Sequence, residues 1–325
     1  MLPISVLMSV YNEPLEWIRA SIESIIHQTF QDFEFIIVND NPHRSEVKDQ
    51  LKRYALFDNR VQIIENDRNM GLTKSLNKAI KAAQGLYIAR MDADDISLPE
   101  RLELQYEFLE KHKDIFLVGS SVWIIDRNGV PKEKVIKHTS HTHILHDMFS
   151  GALPFYHPTI MFRNKGFLYR ECFEVAQDYD FYLNLLSRGK KFSNLKQILL
   201  RYRMSDESVS MNRRREQIIL KKLALQLYHQ RATIGKDSYH DLDFNNQEQL
   251  MRFLRIKPQK FKATVLKEQT IFALGGSSYS AARKTFNLYA KYTSMGIETI
   301  VLWFFVNIPF VYRLYRKLKC KIAQL

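Results

Sequence analysis

Short apolar runs alternate with longer amphipathic stretches along the first part of the chain. Residues 4–10 (ISVLMSV), 33–38 (FEFIIV), 61–65 and 86–91 read as strands: they are short, rich in β-branched and aromatic side chains, and bounded by turn residues. Between them, 15–28 sets Trp17, Ile18, Ile22, Ile25 and Ile26 at helical spacing. Stretches 46–56 and 72–83 read as helices too, the last through Leu72, Leu76, Ala79, Ile80 and Ala83. A β-α-β-α rhythm predicts an α/β domain whose mostly parallel sheet is covered by helices on both faces. Ligands of such sheets gather beyond the carboxyl ends of the strands. Tyr11 and Asn12, Asn39 and Asp40, and Asp92 to Asp95 each fall just past a strand end. They are expected to converge on one rim.

Further along, 99–113 predicts a helix with Pro99 near its first turn, and 116–125 and 130–136 a hairpin turning at Asn128 and Gly129. The pattern loosens over 139–170, which still holds a helix at 141–149 and a strand at 159–162. AQDYDFYLNLLSRG begins as an acidic helix and stops at Gly189; 198–204 reads as a strand. After Met211 the chain turns helical, at 213–233, 247–256, 260–274 and 279–292, with 234–247 as a linker. Two domains are expected, 1–210 and a helical extension, 211–325.

Charge sharpens that division. Residues 1–210 hold 27 Lys and Arg against 28 Asp and Glu; residues 211–325 hold 21 against 7. The whole basic excess lies in the extension, which suits nucleic acid or an anionic membrane surface. GIETIVLWFFVNIPFVYRLYRKLKCK decides between them: an apolar, aromatic run closes on Arg313, Arg316, Lys317, Lys319 and Lys321. Its apolar core, 300–312, falls short of the roughly 20 residues a membrane span needs. Residues 297–325 are therefore expected to lie on an anionic leaflet as an interfacial segment, and nucleic acid is not the expected partner. Two cysteines, Cys172 and Cys320, make no disulfide framework and suit a reducing compartment. The start, MLPISVLMSVYNE, lacks a basic n-region and reads as a first strand rather than a signal peptide.

The stretch RMDADDISLPERL places Asp92, Asp94 and Asp95 within four positions. Like charges this close repel, and burying them is costly without a compensating cation. Either the stretch is an exposed acidic turn at the start of the following helix, or a divalent cation belongs there. A second crowded segment, KHTSHTHILHDMF, holds His138, His141, His143 and His146. Only His143 and His146 could share a helical face, so it reads as a loop region rather than a zinc site.

Five blocks in register carry a family resemblance: VLMSVYNE, FIIVND, RNMGLTKSLNKAIKAAQG, YIARMDADDISLPERLELQ and AQDYDFYLNL. Over about residues 3–210 the chain resembles family-2 nucleotide-sugar glycosyltransferases of the GT-A fold. The resemblance implies inverting transfer of a sugar from a UDP-sugar to a hydroxyl, with Mn²⁺ or Mg²⁺ as cofactor. It makes Asp94 the direct metal ligand and has Asp92 contact the ribose or reach the metal through water, with Asp95 supporting them or facing the donor sugar. It makes Asp40 the uracil acceptor, with Ser9, Tyr11, Asn12 and Glu13 around the same loop. Asn69 and Gly71 form the turn beside the nucleotide, and Arg90 and Lys74 are candidates for phosphate or ribose. Asp178 takes the role of catalytic base, with Asp180 as its competitor and His157 as a residue of the acceptor pocket. Two positions depart from the family pattern: Gln177 replaces a Glu, and Ser205 a His.

The resemblance and the tail together suggest a saccharide acceptor carried on a polyprenyl diphosphate, and a peripheral enzyme on the cytoplasmic face of the cell membrane. That enzyme would build a surface polysaccharide, lipopolysaccharide or capsule. A glycoside hydrolase also needs two carboxylates, but gives no reason for the strand-end set. A non-enzymatic nucleic-acid- or membrane-binding protein would need only the basic tail.

Overall fold

A computed structural model of the chain describes residues 2–204, 213–255, 258–275, 279–293, 296–308 and 310–312. Ser205, Cys320 and the basic residues Arg313, Arg316, Lys317, Lys319 and Lys321 lie outside them. The chain divides into two compact units, Met1–Ser205 and Asp206–Leu325.

In the first unit, β1 (Ile4–Val10) pairs in parallel with β2 (Phe33–Asn39) and with β4 (Tyr87–Asp92), and β2 with β3 (Val61–Glu65). Strands β1, β2 and β4 are buried on both faces, so they read as near-continuous apolar runs. On one side, α1 (Leu15–Ile26), α2 (Ser45–Phe57) and α4 (Arg101–Lys111) bring Ile18, Ile22, Ile25, Val47, Leu51, Leu102 and Leu109 onto Val6, Met8, Phe35 and Ile37. Each such buried side chain contributes about 1.5–3 kcal/mol relative to exposure. Helix α3 (Leu72–Ala82) packs on β1 and β2 as well, burying Leu76, Ala79 and Ile80.

Beyond β4 the sheet is mixed. Its order is β3-β2-β1-β4-β8-β6-β9-β5, with β7 on β6. The added strands are β5 (Ile96–Ser97), β6 (Ile115–Ile125), β7 (Pro131–Val135), β8 (Met161–Arg163) and β9 (Lys191–Arg203). The expectation of a mostly parallel sheet thus holds for β3-β2-β1-β4. In the second half β6 and β9 are parallel, whereas β4/β8, β6/β8, β6/β7 and β5/β9 are antiparallel. The hairpin turns as expected: Gly129, at φ +82°, donates to the Asp126 carbonyl at 2.9 Å. Two further helices, α5 (His141–Ser150) and α6 (Gln177–Leu186), complete the unit.

The second unit is helical: α7 (Arg214–Ile234), α8 (Gln247–Phe253), α9 (Pro258–Gly275), α10 (Tyr279–Tyr289) and α11 (Ile297–Asn307). Leu266 and Leu274 of α9, Phe286 and Tyr289 of α10, and Leu302 and Val306 of α11 share one small core. Among the described residues no helix is long and apolar enough to cross a membrane.

Candidate active site

Strand register builds the rim. Val10 lies opposite Asn39 and Ser9 opposite Asp92, so β1, β2 and β4 end level with one another. The loop after β1 crosses toward the loop after β2: Asn41 Nδ2 donates to Asn12 Oδ1 at 2.8 Å, and Arg44 Nη1 to the Glu13 carbonyl at 2.8 Å. Glu13 Oε2 accepts from the Tyr11 amide at 2.8 Å, leaving the Tyr11 ring exposed.

The acidic cluster sits on the β4 side of this rim. One carboxylate oxygen from each of Asp92, Asp94 and Asp95 lies within 4.8 Å of the other two, the one such group among the described residues with the makings of a metal site. The crowded histidines form no such group: His138 Nδ1 pairs with Asp147, and His141 accepts from the Phe192 amide. Burial, together with the charges of Asp92 and Glu13, pushes the Asp94 carboxyl up to about 7. Burial and the neighbouring Asp94 and Asp92 raise Asp95 well above the carboxylate range. Burial also raises Glu13, and Asp92 adds to it.

Asp95 is 1% exposed and lies in the triad; its Oδ1 accepts from the Arg203 amide at 2.7 Å, while its buried Oδ2 has no protein partner. Three hard oxygen donors and an unmatched buried carboxylate oxygen fit Mg²⁺ or Mn²⁺, whose charge would offset the repulsion that raises these carboxyls.

Arg90, expected at phosphate or ribose, is buried beneath the rim, where its guanidinium pairs with the Asp92 carboxylate. Burial works to lower it, but the paired Asp92 holds it above its ordinary value, so it stays charged. Behind it, Arg101 of α4 is fully buried, donating to the carbonyls of Arg90 at 2.8 Å and Pro158 at 3.0 Å. Gln105, one turn on, donates to the Thr159 carbonyl at 2.7 Å. His157 is likewise buried: its Nε2 meets the Tyr169 hydroxyl at 2.8 Å, and burial with Arg90 nearby keeps it neutral.

Asp40 is placed at the rim but differently engaged. It is 2% exposed, and its carboxylate accepts from Asn66 Nδ2 (2.7 Å) and from the amides of Met70 (2.8 Å) and Gly71 (2.9 Å). Its visible work is to pin the 69–71 turn, in which Asn69 Oδ1 also accepts from the Gly71 amide at 2.9 Å and Gly71 takes φ +85°. A carboxylate offers about four acceptor directions, so one remains beyond these three bonds.

Helix α3 starts at that turn and connects it to the opposite wall. Its Asn77 exchanges hydrogen bonds with the backbone of Tyr169 (2.9 and 2.8 Å), and Thr73 donates to the Phe173 carbonyl at 3.2 Å. That segment leads into α6, where the two rival aspartates separate. Asp180 is buried and held by the Arg170 guanidinium through both carboxylate oxygens. Asp178 is half-buried, with Oδ1 accepting from the Tyr179 amide at 2.8 Å. Burial raises the Tyr169 hydroxyl, with smaller effects from the charges of Arg90, Asp178 and Asp92.

Arg203 went unnoticed in the sequence as a site residue. Besides its amide bond to Asp95, its Nε donates to the Asp94 carbonyl at 2.7 Å and its Nη1 to the carbonyls of Asp126 (3.1 Å) and Arg127 (2.9 Å). Its guanidinium carbon sits 4.7 Å from the centre of the Trp17 ring. It clamps the acidic turn to the end of β9.

A half-parallel α/β sheet with carboxylates gathered at its strand-end rim defines a glycosyltransferase of the GT-A fold. Residues 5–171 match the family model described as glycosyl transferase family 2, and the chain belongs to that family. A glycosyltransferase of Methanocaldococcus jannaschii is 38% identical over 241 residues, covering 73% of this chain and 81% of its own. The O-antigen biosynthesis glycosyltransferase WbnJ of Escherichia coli is 35% identical over 214 residues, 63% of this chain and 81% of its own. Among solved structures, S. aureus TarS 1–349 in complex with UDP superposes with a TM-score of 0.56 over 90% of this chain and 93% of that one, at 18% identity, a likeness of fold.

Proposed function

We propose that the protein transfers a sugar, with inversion, from a UDP-sugar to a hydroxyl of a saccharide acceptor in building a surface polysaccharide such as lipopolysaccharide or capsule. One observation carries the reading: three carboxylates converge at the β4 rim; the half-buried Asp178, at the start of α6, is taken as the base. The UDP and UDP-GlcNAc complexes of TarS and the O-antigen role in the name of WbnJ support the donor and the pathway class.

Asp92, Asp94 and Asp95 would hold Mn²⁺ or Mg²⁺, which supplies positive charge against the diphosphate as the leaving group forms. The remaining work falls to the chain. Tyr11 stacks on the base, and the last acceptor direction of Asp40 takes the uracil ring N–H. Ser9, Asn12, Glu13, Asn69 and Gly71 shape the nucleotide pocket. Arg90 acts through Asp92, orienting its carboxylate. Asp178 accepts the proton of the acceptor hydroxyl as that oxygen bonds to the anomeric carbon, whose bond to the β-phosphate oxygen breaks with its electron pair going to UDP. The acceptor is a saccharide, carried on a polyprenyl diphosphate and met at the cytoplasmic face of the cell membrane, where the protein is held peripherally.

The test is Asp178→Asn, which keeps shape and removes the basic charge. Screened with UDP-sugars and Mn²⁺, wild type should turn over at least one donor. The variant should bind UDP with unchanged affinity and lose at least a hundredfold in rate. Turnover equal to wild type would remove Asp178 as the base.

A further inference from the structure

Helix α11 is apolar but for Glu298, which pairs with Lys267, and Thr299 and Asn307, and it is packed on one side only. Thr299, Leu302 and Val306 are buried, the last two in the core shared with α9 and α10. At about 100° per residue, Ile297, Ile300, Val301 and Phe304 fall on the opposite side, and all four are exposed, Ile297 at 83%. Phe310, just beyond the helix, is 72% exposed. Of the 21 exposed large apolar side chains among the described residues, nine lie within 288–310, so this surface is concentrated rather than scattered. Soluble monomers seldom leave such a surface to water.

We infer that the outer face of α11 seats the protein on an anionic lipid surface. This rests on the peripheral placement proposed above, but not on the chemistry at the Asp92 rim. Charge selects the occupant. Lys262, Lys284, Lys291 and Arg283 are exposed on α9, α10 and the turn after α10, and Lys262 Nζ lies 4.5 Å from the centre of the exposed Tyr292 ring. Residues 211–325 carry 21 basic against 7 acidic side chains. A nucleic acid would match that charge and leave the apolar face unused. A second copy would cover the apolar face but bring the same positive excess against itself. An anionic bilayer satisfies both, with the aromatic and aliphatic side chains entering the headgroup–acyl boundary and the basic ones meeting lipid phosphates. Length sets the mode. Eleven residues rise about 16 Å against a hydrocarbon core of about 30 Å, so the helix lies in the interface plane.

Flotation of the full chain with vesicles tests this. It should co-float with phosphatidylcholine–phosphatidylglycerol vesicles (7:3), at least tenfold less with phosphatidylcholine alone, and less again with the mixed vesicles in 0.5 M NaCl. The double substitution Ile300→Glu/Phe304→Glu should cut binding to the mixed vesicles at least tenfold while UDP affinity is unchanged. Lys284→Glu/Lys291→Glu, which leaves the apolar face whole, should cut it about tenfold. Wild type that fails to float, or floats equally well with neutral vesicles, overturns the inference. So does an Ile300→Glu/Phe304→Glu variant that floats like wild type, or one whose only change is a dimer becoming a monomer in sedimentation. Loss of UDP binding with flotation intact would count against the transferase reading alone.

Discussion

Arg203 gives a clear measure of how the acidic turn is held. Replacing it with lysine keeps the charge and the backbone bond from residue 203 to Asp95, but exchanges a forked guanidinium for a single ammonium. The arginine side chain donates to three carbonyls, those of Asp94, Asp126 and Arg127, at 2.7, 3.1 and 2.9 Å. A lysine reaches one of them, so about two bonds are lost at about 1 kcal/mol each. Loss of the stacked contact with Trp17 adds about 0.5 kcal/mol. Arg203→Lys should therefore destabilise the first unit by about 2.5 kcal/mol, lowering Tm by about 5–10 °C for a unit of this size. The Asp94 carbonyl is then released from β9. If about 1.4 kcal/mol of re-ordering is drawn from metal binding, the Mn²⁺ dissociation constant rises about tenfold. Electron paramagnetic resonance of free Mn²⁺ during titration reads that constant directly, and scanning fluorimetry reads Tm. Unchanged Mn²⁺ affinity with a lowered Tm would mean that Arg203 only braces the loop. Both unchanged would refute the clamp.

Two further outcomes follow from the same geometry. Asp180→Asn removes the negative charge facing the largely buried Arg170 and should cost about 2–3 kcal/mol of stability, with turnover per folded molecule within a few-fold of wild type; a hundredfold rate loss at normal Tm would instead return Asp180 to the chemistry. Burial and the Asp92 and Glu13 charges raise Asp94 from 3.8 to about 7 in the metal-free protein, so between about pH 4 and 7 the folded state binds more protons than the unfolded one. Its stability contribution therefore falls as pH rises through that window. Tm of the metal-free protein should drop from pH 5 to pH 8, and Mn²⁺ should raise Tm far more at pH 8 than at pH 5, where protons compete for the carboxylate; an equal rise at both would contradict the assignment.

The strand ends were legible because β1, β2 and β4 are buried, uninterrupted and closed by polar residues, so their tips could be placed on one rim from spacing alone. β9 was seen only from residue 198, although it starts at Lys191. Lys196 and Gln197 form a bulge between the pairs Leu195–Ser120 and Ile198–Ser121, and residues 192–195 are all buried, so no alternation marks the first half. β5 has two residues and no pattern of its own. Arg101 and Gln105 left a readable trace, two long polar side chains one turn apart on the stripe that Leu102 and Leu109 mark as inward. Buried polar groups at such positions must be bonded, and these are bonded to the backbone under the rim. Nothing local distinguished Asp178 from Asp180; the separation comes from Arg170, whose approach depends on a loop eight residues upstream of Asp178. Asp40 and Arg90 were located by pattern, but their partners were not, because Met70, Gly71 and Asp92 reach them only through the tertiary fold.

Calorimetric titration of UDP into the protein, with and without Mn²⁺, for wild type and Asp94→Ala, bears most directly on the carboxylate cluster as the seat of a cation and a diphosphate. The expected result is binding by wild type that weakens at least tenfold when Mn²⁺ is withheld, and binding by Asp94→Ala that is weak and indifferent to Mn²⁺. Equal UDP affinity in all four titrations would contradict it.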